Sequence, residues 1–158
     1  MSLKDRLSTC IPTVFKCWGA SWIGFLIAMV PLYIFRGLYH DMATKAVRED
    51  LLRAVFGWLA SCAFLMWITW RSDAAEKTPP QNALINALIT AGIYGLVWII
   101  TQGSYFFAAA GFHLVELLSG GEHALWAVIF SALIWCAGYV GAICLGSLLA
   151  RRRREKTR

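Results

Sequence analysis

All three histidines of the chain, His40, His113 and His123, lie outside its longest apolar runs and beside carboxylates: Asp41, Glu116 and Glu122. Imidazole and carboxylate together form a donor set suited to zinc or another divalent cation. In "FHLVELL", His113 and Glu116 stand three positions apart, so a helix would place both on one face. Together with His123 they are the best metal ligands the sequence offers. As an enzyme motif the set is incomplete, because "HLVE" lacks the second histidine of the zincin pattern. Polar residues at a membrane interface explain the cluster more simply. No cofactor is expected.

A second polar set runs through an otherwise greasy segment. Asn82, Asn86, Thr90 and Tyr94 recur every four residues, and Gln102 follows two turns later. Side-chain amides at membrane depth need partners that hydrocarbon does not supply. Asn86, Thr90, Tyr94 and Gln102 would therefore either line a polar path or bond across to neighbouring helices. Cross-helix bonding is the commoner use, at about 0.6 kcal/mol per contact. Lys16 is the one basic residue inside an apolar stretch near the N-terminus, and its long stem would carry the ammonium to the interface. The five cysteines form no CxxC pair, and each sits in or beside an apolar run as a small hydrophobe. No GxSxG elbow and no Gly-rich phosphate loop is present.

The elements that would position these residues are membrane helices. Hydrophobic residues make up 59% of the 158, and charged residues only 15%. A soluble domain of this size could not bury that much apolar surface. Four spans are expected, at approximately 12–35, 51–70, 83–108 and 124–150, with a basic tail at 151–158. Pro12 marks the start of the first, and Pro31 should kink or end it. Asp41, Lys45, Glu49 and Arg53 alternate in sign every four residues, so a single helix is expected over 41–70, with its first turns in water. The stretch "RSDAAEKTPPQN" (71–82) reads as a charged loop. No carboxylate then falls deep in a span, which weighs against a proton-coupled carrier.

With both termini on one side, that side holds eleven Lys and Arg: Lys4, Arg6, Lys16, Arg71, Lys77 and six in the tail. The other side holds four: Arg36, Lys45, Arg48 and Arg53. The positive-inside rule then places both termini in the cytoplasm, most simply of a bacterial inner membrane. The expected fold is an all-α, integral-membrane four-helix bundle.

Two stripes of small residues stand out within it. Ala83, Ala87, Ala91 and Gly95 line one face of the third span; Gly138, Ala142, Gly146 and Ala150 line one face of the fourth. In lipid, close backbone approach drives helix association, so these stripes predict tight contacts, within the chain or between copies. The leading functional expectation is a non-enzymatic accessory, assembly or protective subunit acting through helix contacts, with a membrane-protein partner or a second copy of itself. A small oligomeric transporter or channel using the polar stripe is the alternative. A metal-dependent enzyme at the outer interface is a weaker one. Arg151, Arg152, Arg153 and Arg154 are expected to anchor the tail on anionic headgroups rather than bind nucleic acid.

Overall fold

A computed structural model of the chain describes residues 3–35, 42–75, 82–101, 112–120 and 124–156. Five helices make up the described part: α1 (Leu3–Phe35), α2 (Met42–Ala75), α3 (Ala83–Ile100), α4 (Phe112–Ser119) and α5 (Leu125–Lys156). All but α4 are long and apolar enough to cross a membrane. The burial pattern agrees with that setting. Large apolar side chains such as Phe15, Leu26, Leu96, Leu133 and Leu145 face outward, while Ser21, Ser61, Thr90, Ser131 and Ser147 are buried. A water-soluble core would invert this arrangement.

Several boundaries differ from the apolar runs. Helix α1 begins at Leu3, so Pro12 lies well inside it and not in its first turn. Helix α2 continues through Arg71 to Ala75, so the first part of the supposed loop is helical. Helix α5 runs on to Lys156, and the four arginines are therefore helical rather than a bare tail. Helix α3 ends at Ile100. Its last turn is closed by Thr101, whose hydroxyl donates to the carbonyls of Val97 (2.9 Å) and Trp98 (3.0 Å). Residues 102–111, into which the third span was expected to continue, lie outside the described residues.

The long helices pack in the cyclic order α1–α2–α5–α3. Small residues set the closest approaches. A Cβ added at Gly24 of α1 would come within 2.4 Å of the Gly57 carbonyl oxygen of α2. One at Gly146 of α5 would come within 2.6 Å of the Met66 carbonyl oxygen of α2. Between α3 and α5 the filling is aromatic: Tyr94, Trp98, Trp135 and Tyr139 are all buried. Their rings meet edge-on or tilted, with the Tyr94 and Tyr139 centroids 5.4 Å apart and those of Trp98 and Trp135 5.9 Å apart. Dispersion between such rings holds helices together where no hydrophobic force acts.

Contacts between the helix ends fix the topology. Cys10 of α1 reaches the Asn86 carbonyl of α3, Lys16 of α1 reaches Ser72 of α2, and Asp73 of α2 reaches Ser147 of α5. The beginnings of α1 and α3 and the ends of α2 and α5 thus share one end of the bundle, which carries the first and last described residues, Leu3 and Lys156. Helix α4 sits at the opposite end against α2 and α5.

Candidate functional site: a polar cavity among four helices

At the terminus-bearing end the long helices diverge around a cavity of about 240 Å³. Each helix contributes polar groups to its lining: Lys16 from α1, Thr69 and Asp73 from α2, Asn86 and Thr90 from α3, and Ser147 from α5. The α3 pair lies one turn apart on one face. Thr69 and Asp73 bear the same relation on α2, so both helices turn a polar edge inward.

The two ionic groups are held apart from one another by hydroxyls. Lys16 Nζ donates to Ser72 Oγ at 2.9 Å, and Ser147 Oγ donates to Asp73 Oδ2 at 2.5 Å. Arg154 donates to the backbone carbonyl of Asp73 and draws the end of α5 onto α2. An ammonium has three donors and a carboxylate about four acceptor positions, so each keeps bonding capacity beyond its named partner. Thr69 keeps more. It is 4% exposed, and its hydroxyl has no hydrogen-bond partner among the described residues. Other such groups, Tyr139 Oη and the Trp98 and Trp135 indole nitrogens, belong to the aromatic column and not to the cavity lining.

Sequence reasoning reached this place only in part. Asn86 and Thr90 line the cavity. Tyr94, one turn deeper, is buried against Tyr139 and Trp98. Gln102 lies outside the described residues. Lys16 points to Ser72 of α2 rather than simply out to the interface. Asp73, placed in a loop by its charged neighbours, is a nearly buried helical carboxylate at the cavity wall.

Most of the small-residue stripes are in contact within one chain. Ala87, Ala91 and Gly95 are buried, whereas Ala83 is half-buried. A Cβ at Gly95 would meet Cys136 of α5, whose thiol donates to the Ala91 carbonyl at 3.2 Å. Ala142, Gly146 and Ala150 are buried, and Gly138 is half-buried. Gly138 and Gly146 abut Trp58 and Met66 of α2, so these members of the α5 stripe do not meet the α3 stripe.

Of the expected histidine and carboxylate set, His113 and Glu116 lie at the opposite end, while His40, Asp41 and Glu122 lie outside the described residues. His113 is buried, its ring stacked on Phe25 with centroids 6.1 Å apart. Its Nδ1 lies 3.1 Å from Glu116 Oε2 and 3.4 Å from Asp50 Oδ1. The donor atoms of these three residues all lie within 4.8 Å of one another. Asp50 was not among the expected ligands, because it belongs to the charge-rich start of α2 and meets α4 only through the fold. His123 lies outside the described residues. Arg53 also enters the group, 3.6 Å from Asp50 and 3.5 Å from Glu49. Burial, and then the Arg53 guanidinium, hold the His113 imidazole below its usual range, against the opposing pull of Glu116 and Asp50.

The tail arginines differ from one another in surroundings. Arg153 stacks over Trp70 with its guanidinium carbon 5.3 Å from the ring centroid. Arg151 lies beside Asn82 and Leu84 at the start of α3. Comparison with protein-family models, with curated proteins and with solved structures returns no match, so any functional reading rests on this geometry.

Proposed function

We propose that the protein is a small transporter of a bacterial inner membrane, with both termini in the cytoplasm, that takes a small zwitterionic solute into the cavity among α1, α2, α3 and α5. The observation that carries this reading is the cavity lining: an ammonium, a carboxylate and an amide converge on about 240 Å³, with Thr69, Thr90 and Ser147 in the same wall. Lys16 suits the carboxylate of a zwitterion and Asp73 its ammonium, while Asn86 and Thr90 supply further bonds. Asp73 also bears on the mechanism, since a nearly buried acid is the kind of group that carriers use. The excess of Lys and Arg at this end, eleven against four, favours its facing the cytoplasm.

The accessory-subunit reading drew on the small-residue stripes. Gly95, Gly138 and Gly146 are occupied by contacts within the chain, so they no longer argue for an outside partner. We read the Asp50–His113–Glu116 cluster as a clamp of α4 on α2, since Arg53 already brings positive charge to these carboxylates.

The test is flux into proteoliposomes from a labelled amino-acid mixture. The expected result is uptake above that of empty vesicles, abolished by Asn86→Leu while the variant still elutes as folded protein. Wild-type uptake no greater than that of empty vesicles would remove the transport reading.

A further inference from the structure

We infer that the terminus-bearing end also holds a defined site for the headgroup of an anionic phospholipid, built by Arg71 and Trp70 of α2 with Arg153 and Arg154 of α5. Because α5 stays helical to Lys156, successive arginines point in different directions, about 100° apart. Arg153 and Arg154 turn toward α2, where they share a space of about 340 Å³ with Arg71, Ala74 and Ala75. The two alanines add little bulk, and three guanidinium groups from two helices line the same space. A guanidinium is a planar fork that matches phosphate oxygens in pairs, and Arg154 would use the N–H groups it does not give to the Asp73 carbonyl.

An adjoining space of about 760 Å³ shares Arg153 and adds Trp70 and Leu149 as an apolar wall, with Arg152 and Lys156 on its rim. Glu155 is the only acid among its lining residues. Arg153 over Trp70 and Arg71 over Trp67, at 5.3 and 5.6 Å, hold the cations above aromatic rings. An aromatic ring and an exposed leucine beneath a basic rim suit an amphiphile, with its phosphate above and its acyl chain along the helix. Inorganic phosphate would use only the upper half. This site is separate from the solute cavity, whose lining includes none of these arginines.

Native mass spectrometry of the purified full chain, with phosphatidylglycerol and phosphatidylcholine offered as separate probes, tests the assignment. The wild type should retain phosphatidylglycerol in preference. Arg71→Gln and Arg153→Gln should each weaken it about fivefold, the equivalent of the ~1 kcal/mol that one basic residue contributes at an anionic surface. Arg151→Gln removes the same charge two positions away at a residue that lines neither space, and should weaken retention less than either of them. Arg71 is exposed, so its variant reports on the site even if Arg153→Gln disturbs the packing on Trp70. Equal weakening by Arg151→Gln would mean diffuse attraction and overturn the site. Displacement of the lipid by inorganic phosphate would reassign it as a simple anion site.

Discussion

Gly24→Ala is the sharpest structural perturbation the bundle offers. The added methyl would sit 1.9 Å from Ser61 Oγ and 2.4 Å from the Gly57 carbonyl oxygen. Ordinary contact begins at 3.4 Å, so the second distance alone is 1.0 Å short. Ser61 can turn aside, at the expense of the bond its hydroxyl donates to Gly57 at 2.7 Å. The Gly57 carbonyl is backbone and cannot, so α1 and α2 must separate. Overpacking of this kind costs about 1–3 kcal/mol, and the lost hydrogen bond adds about 1 kcal/mol. Gly146→Ala should behave similarly, because it meets the Met66 carbonyl oxygen at 2.6 Å. Gly95→Ala meets only the Cys136 sulfur, a side-chain atom that can rotate, and should cost less. Gly92→Ala meets nothing within 4 Å and is the control; with its better helix propensity it should be neutral or gain up to about 1 kcal/mol. Reversible unfolding in mixed micelles gives the ranking. If Gly24→Ala proved as stable as Gly92→Ala, the close α1–α2 crossing would be wrong.

Three further outcomes follow from individual side chains. Thr69→Val replaces an unpartnered buried hydroxyl by a methyl group and should stabilise the solute-free protein by about 1–3 kcal/mol, read from the same unfolding curves; destabilisation would mean that the hydroxyl already has a partner. For His113, a folded pKa below the ordinary value of about 6.5 means that the unfolded chain takes up the proton first. Its stability contribution is therefore complete above that pH and is lost as pH falls through it toward the folded pKa. The melting temperature of the wild type should drop on acidification more steeply than that of His113→Gln, and parallel profiles would contradict the shift. Zinc titration of the purified protein should show no stoichiometric binding, because Arg53 shares the Asp50 carboxylate; one equivalent bound, and lost in His113→Ala, would make the cluster a metal centre.

The four helices long and apolar enough to cross a membrane were legible because each carries an extended run of apolar residues. The Glu49–Arg53 pair was legible too, since its spacing is a local property of a helix. Groups whose meaning depends on distant partners were not. Asp73 reads as loop in "RSDAAEK", and only Ser147, 74 residues away, reveals it as a buried acid. Asp50 looks like one charge among several until α4 brings His113 to it. The arginine run looked uniform because a string of letters hides the turn of the helix, which sends Arg153 to Trp70 and Arg151 toward α3. Four-residue spacing identified which glycines and alanines share a face, but not that Gly138 and Gly146 would face α2. Facing is a property of how the helices are ordered around the bundle, and no local pattern encodes that order.

The proposed transport requires that the cavity among the four long helices bind a small zwitterion. Equilibrium binding of the individual amino acids to purified wild type, Asn86→Leu and Thr69→Val tests it most directly. At least one of them should bind saturably at one site per chain, with binding lost in Asn86→Leu and altered less in Thr69→Val, both variants being folded. Absence of binding across the series, or binding that neither substitution alters, would contradict it.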